Sequence, residues 1–276
     1  MAYSEADDIA AHKADLTTMD WRMDQAKADL NWSESLILDV GGAGGLHAAL
    51  LAPRCRRIYF TDLTDCNLRY KGEFIRLLAE KCERNGLCLP MARLEFHAGN
   101  ALELIYRDGL FDFVCSFNAF EHISEPPRAL AEMARVTRPG GWIYLTFDPI
   151  WTADSGSHFA HFHEREPWAH LVDDPERFEQ RIRDAGATDQ DIHEARVGMN
   201  RVRLAAHEQL LKVETLDLGL QLRHYQTWSG YQFTDAEAHP NHAAAMQKGY
   251  SSAELSTRGI AAVFQKRFGA GISSDA

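Results

Sequence analysis

The chain has no run of about 18 apolar residues, the length a bilayer-crossing helix needs, so a membrane-spanning helix is excluded. It is also poor in cysteine. Five residues, none in a CxxC pair, are spread over 276 positions, which speaks against a disulfide framework and for reduced thiols. Positive charge is short: Lys and Arg number 29 against 40 Asp and Glu, a net charge of -11, and no stretch is rich in Lys and Arg. A nucleic-acid backbone or an anionic membrane would be repelled, so neither is expected as a partner. The first residues, Met1 to Asp8, lack both the basic start and the apolar stretch of a secretory leader, and a cytoplasmic location is expected. No internal repeat or low-complexity linker interrupts the chain.

What the chain does contain is an alternation of short apolar runs with longer amphipathic stretches, the pattern of βαβ units. Strands are predicted at 36–40, 57–61, 93–97, 111–117 and 142–147, with helices at 45–51, 66–85 and 127–136 between them. The last helix starts behind Pro126 and stops before the breaker cluster Arg138 to Gly141. Right-handed crossovers would place helices on both faces of a doubly wound, mostly parallel seven-stranded α/β sheet. A sixth strand is predicted at 190–197 and a closing one at 259–266. Residues 1–35 read as an N-terminal helical cover, 149–170 as a lid insertion, and 200–250 as a partly helical subdomain inserted on the substrate side. That leaves 36–199 and 251–268 for the main domain.

The first strand runs directly into Gly41, Gly42, Ala43, Gly44 and Gly45, where small residues let the backbone approach a ligand closely. A dinucleotide turn needs Gly or Ala where this chain has His47, which disfavours NAD. The second strand ends in Asp62 and Leu63: the carboxylate can accept hydrogen bonds from both hydroxyls of a ribose, and the apolar neighbour can pack on a base. Asn100 and Ala101 follow the third strand, and Asn118 the fourth, ahead of Phe120, Glu121 and His122. Each also has a plainer use: the glycines as a tight turn, Asp62 as a helix cap, Asn118 as a turn residue, His122 as packing.

In order and spacing, Asp39 to Gly45, Asp62, Asn100, the segment Asn118 to Ile123 and the turn Arg138 to Gly141 resemble the class I S-adenosylmethionine-dependent methyltransferase family. Ala43 stands at that family's usual middle glycine and Phe120 at its usual leucine. The resemblance covers residues 36–147 and implies a Rossmann-like domain with S-adenosyl-L-methionine as cofactor. It implies contacts to that cofactor from Asp39, Gly41, Gly42, Ala43, Gly45, Asp62, Leu63, Asn100, Ala101 and Asn118, and leads to a small-molecule methyl acceptor as the expected substrate.

An alcohol acceptor profits from a base that takes its proton. After the fifth strand come Asp148 and then His158, His161 and His163, three of the chain's 13 histidines within six residues. They are the candidate catalytic residues, with His158 first because it lies nearest the strand end, and O-methylation is favoured over N-methylation. The same histidines also read as packing in an aromatic lid, or, with Glu164 or Glu166, as cation ligands; no metal is assigned. Arg201, Arg203, His224, Tyr225, Trp228 and Tyr231 could complete an acceptor site. N-methylation, a non-catalytic cofactor-sensing homologue and an NAD-dependent oxidoreductase stay open as alternatives, as does a homodimer.

Overall fold

The computed structural model describes residues 4–163 and 165–268. Ser4 starts helix α1 (Glu5–Gln25): its hydroxyl accepts from the Asp7 N–H while the Asp7 carboxylate bonds back to Ser4, and Glu5, Asp7 and Asp8 face the positive end of the helix dipole. Ile9, Leu16, Met19 and Met23 form the buried stripe of this helix. It lies over α2 (Leu46–Leu51), and beyond α3 (Cys66–Arg69) it is pinned to α4 (Phe74–Arg84) by Lys81–Asp8 at 2.6 Å and Arg84–Glu5 at 2.8 Å.

Seven strands form one sheet: β1 (Leu36–Val40), β2 (Arg57–Asp62), β3 (Leu94–Ala98), β4 (Phe111–Phe117), β5 (Thr137–Phe147), β6 (Leu220–Ser229) and β7 (Thr257–Lys266), in the order β3-β2-β1-β4-β5-β7-β6. The expectation of a mostly parallel sheet is corrected: the sheet is mixed. Pairing is parallel from β3 to β5 and antiparallel where β7 meets β5 and β6. The reason is the connection. After β6 the chain makes a helical excursion at the same end of the sheet and returns without a crossover, so Ser229 pairs with Thr257 and the strands oppose.

Both faces of the sheet are covered, which is why β1 is apolar at every position but Asp39. Ile37, Ile58, Phe60, Phe113 and Phe117 pack with α1, α2 and α4; Leu38, Val40, Val114, Ile143 and Leu145 pack on the other face with α5 (Pro126–Val136). Each such side chain contributes about 1.5–3 kcal/mol on burial. The predicted helix at 66–85 is divided into α3 and α4 by Lys71 and Gly72, whose φ of 53° and 84° no helix can carry through.

Beyond β5, residues 149–199 and 231–256 fold beside the sheet rather than in it. They include α6 (Ala169–Val172), α7 (Pro175–Asp184) and α8 (Asp189–Val197), and, after α9 (Leu204–Lys212), α10 (Pro240–Gln247) and α11 (Ser252–Ser256). Their own small cores gather Trp168, Leu171 and Leu255, and separately Phe178, Ile182 and Ile192. The strand predicted at 190–197 is instead helix α8, started by a cap in which the Thr188 hydroxyl accepts from Asp191 N–H and the Asp191 carboxylate answers. The sheet takes its remaining strand from 220–229. No described helix is long and apolar enough to cross a membrane.

Candidate functional site

The carboxyl ends of β1, β2, β3 and β4 surround a cavity of about 540 Å³. Of the residues the sequence points to, Gly41, Ala43, Asp62, Leu63, Asn100, Ala101 and Asn118 line it. Asp39, Gly42 and Gly45 lie behind that wall and shape it. The glycine turn is fastened to β2 by the Gly41 and Gly42 N–H groups, which both donate to Thr61 O at 2.8 and 3.1 Å. Gly41 has φ 79°, and a Cβ there would sit 2.4 Å from the Ala119 Cβ, so only glycine fits. Ala43 takes φ 24°, on the left-handed side, where its methyl group is a mild strain.

Asp62 stands at the turn's mouth. Its carboxylate accepts from Ala43 N–H at 3.2 Å and from Thr64 N–H at 2.8 Å, so it braces the glycine turn and keeps free lone pairs toward the cavity. Leu63, 79% exposed, and Val197, 64% exposed, are bare apolar side chains on the rim. The Asn100 side-chain carbonyl accepts from Leu102 N–H at 2.9 Å, an Asx turn that fixes it. Beneath the turn, the Asp39 carboxylate is buried with neither oxygen hydrogen-bonded, and burial, reinforced by the Asp62 charge, pushes its pKa up to about 7.

A second cavity of about 300 Å³ adjoins the first. Its walls come from α1 (Asp15, Thr18, Arg22), β5 (Tyr144, Thr146), the residue after β5 (Asp148) and β6 (Trp228), and Asn118 belongs to both cavities. Asn118 holds φ 47°, which asparagine tolerates better than most residues, and its N–H donates to Thr146 O at 2.7 Å. The sequence reading named Asp148 and Trp228 but missed Arg22. A usable signal exists: Arg22 falls three positions after Met19, inside the apolar stripe of α1.

The histidine triplet does not converge on either cavity. His163 is buried with both ring nitrogens occupied, Nε2 by Ser157 Oγ at 2.9 Å and Nδ1 by Glu166 O at 3.0 Å. His161 lines two open hollows, one with Arg165 and Arg181 and one with Pro149, His158 and Ala160. His158 bonds Pro149 O at 3.0 Å and meets His122 edge-on at 4.8 Å; burial drives its pKa down to about 4. His122 does reach the larger cavity, with Nδ1 2.5 Å from Gly198 O. Glu121, His122 and His158 offer ligand atoms that all lie within 4.8 Å of one another, a grouping that could take a cation. Glu164 lies outside the described residues. His47, the residue that argued against a dinucleotide, is wedged between Asp15, at 3.0 Å, and the Phe117 ring, stacked at 4.1 Å.

Residues 38–145 match the family model described as "Methyltransferase domain". An uncharacterized methyltransferase of Mycobacterium sp. (strain JLS) is 33% identical over 153 residues, 55% of this chain and 51% of that protein. The chain thus spans about half the length of the curated relatives it matches. Among solved structures, a candidate sarcosine dimethylglycine methyltransferase from Galdieria sulphuraria aligns with TM-score 0.55 at 18% identity, over 92% of this chain and 87% of that one. The [4+2]-cyclase SpnF aligns with TM-score 0.51 at 18% identity, over 91% and 81%. These two likenesses speak to fold alone. The likeness of residues 38–145 is thus to a methyltransferase domain, in line with the resemblance that the sequence motifs carry.

Proposed function

We propose that this protein transfers a methyl group from S-adenosyl-L-methionine to a small molecule. One observation carries the reading: Asn118 lines both cavities, so a donor in the larger one and an acceptor in the smaller one meet at a single residue. The residues of the larger cavity fit the cofactor. Asp62 presents a carboxylate for the ribose hydroxyls, the uncovered Leu63 and Val197 offer apolar surface for adenine, and the Gly41 and Asn118 backbone approaches the amino-acid end. When bound, the cofactor supplies an electrophilic methyl group on a sulfonium. The protein's part is placement: acceptor and methyl are held in line and away from bulk water, the effect that dominates such transfers.

For the acceptor we favour oxygen, with a carboxylate rather than a histidine receiving its proton. Asp148 stands on the acceptor-side wall with Oδ2 accepting from Trp228 Nε1 at 3.1 Å and Oδ1 without a partner among the described residues, whereas none of the three lid histidines borders that space. SpnF carries a similar fold under the name of a cyclase, so methyl transfer needs its own test. Purified protein is incubated with methyl-tritiated cofactor and fractionated small-molecule extracts. Transfer of label to a small product supports the reading. Cofactor binding with no transfer to any fraction, by protein that is folded and saturated, would leave a cofactor-sensing homologue as the better account.

A further inference from the structure

The acceptor-side cavity contains one cation whose partner is missing. Arg22 is only 6% exposed, yet no carboxylate among the described residues forms an ion pair with it. Its Nε donates to Gln226 Oε1 at 3.0 Å and Nη1 to Tyr144 Oη at 2.9 Å, with Thr146 Oγ1 at 3.5 Å, while the Trp228 ring lies 5.0 Å from the guanidinium carbon. Neutral groups thus orient the fork, and Nη2 is left without a described acceptor at the cavity wall. A guanidinium taken out of water without an anion is costly, and its planar pair of N–H groups matches a carboxylate.

The neighbouring charges narrow the choice of anion. Asp15 is engaged by His47 at 3.0 Å, and Asp148 by Trp228 at 3.1 Å, with Arg258, which does not line the cavity, 3.9 Å from the same Oδ2. Two carboxylates and one guanidinium on the walls suit a singly charged anion bearing an O–H or N–H elsewhere. A dianion such as phosphate would gain one cation and face two like charges.

We propose that this cavity selects acceptors carrying a carboxylate group, which Arg22 holds, so that the protein methylates small carboxylic acids at a heteroatom lying between Asp148 and Asn118. Arg22 is then a specificity-determining residue. The proposal rests on the methyl-transfer reading above.

The test uses full-length 15N-labelled protein saturated with S-adenosylhomocysteine. Acetate, acetamide and inorganic phosphate are titrated in turn while the Trp228 indole and Arg22 Nε signals are followed by NMR. Acetate should move both signals saturably, acetamide should not, and phosphate should bind more weakly than acetate. Arg22→Gln should weaken acetate binding at least about tenfold, the scale of one charge-assisted hydrogen bond, with S-adenosylhomocysteine affinity unchanged. Should Arg22→Gln fold poorly, Thr18→Phe narrows the cavity mouth from an exposed helix position and should also block acetate. Equal responses to acetate and acetamide, tighter phosphate, or an unaltered response in both variants would overturn the proposal. Failure of S-adenosylhomocysteine to bind would remove the methyl-transfer reading and this proposal with it; binding without an acetate response removes this proposal alone.

Discussion

Asparagine in place of Asp39 should stabilise the protein free of cofactor at alkaline pH and do nothing for it in acid. The carboxylate is buried with neither oxygen hydrogen-bonded, and its pKa rises from 3.8 to about 7 on folding. The sign follows from proton counting. Between those values the unfolded chain has released its proton while the folded chain retains it, so stability is fully present below about pH 4 and falls as pH rises, until Asp39 itself ionises near pH 7. At 1.36 kcal/mol per pH unit the span is worth roughly 4 kcal/mol. The amide keeps the size and drops the charge, but it remains a buried polar group short of partners, a cost of about 1–3 kcal/mol. The net gain for Asp39→Asn at pH 8 is therefore about 1–3 kcal/mol, or roughly 2–10 °C in melting temperature for a chain of this size. Near pH 4.5, where the carboxyl penalty has shrunk to about 1 kcal/mol, the gain should be gone and the variant up to about 2 kcal/mol less stable than the parent. Thermal melts of both proteins at pH 4.5, 6 and 8 decide it: a variant less stable than the parent at pH 8 would mean that the carboxylate is charged and satisfied, and the reasoning would fail.

Gly41→Ala should lower stability by about 2 kcal/mol or more, because the new methyl meets Ala119 at 2.4 Å on a backbone with φ 79°; chemical denaturation measures it. His161→Ala should leave the methyl-transfer rate within about twofold, since the ring borders only open hollows away from the two cavities. His163→Ala should cost about 1–3 kcal/mol of stability through the loss of its bonds to Ser157 and Glu166, with kcat unchanged at temperatures where the variant is folded. A tenfold fall in kcat for either variant, its fold intact, would restore the histidine base.

The larger cavity was legible because it is built from consecutive strand ends. In a parallel sheet every β-strand delivers its following loop to the same edge, so the order glycine turn, Asp62, Asn100, Asn118 in sequence becomes adjacency in space. The smaller cavity has no such rule. Arg22, Tyr144, Asp148 and Trp228 come from a covering helix, an inner strand, a loop and an edge strand, and only the fold brings them together. For the histidines, closeness in sequence is not convergence: Nε2 of His163 faces Ser157 while Nε2 of His158 faces the Pro149 carbonyl. Helix α8 was mistaken for a strand because Ile192 and Val197 stand among polar residues, while the Thr188–Asp191 cap that marks its start went unread. Edge strand β6 alternates Leu220, Gln221, Leu222 and Arg223 plainly enough, but its aromatic and histidine content drew attention to substrate contacts instead.

Calorimetric titration with S-adenosylhomocysteine and with NAD, on the parent and on Asp62→Ala, tests the central claim most directly. The account predicts one-to-one binding of S-adenosylhomocysteine, weakened at least about tenfold when the Asp62 carboxylate is removed, and no response to NAD. Tight NAD binding without a response to S-adenosylhomocysteine would contradict it.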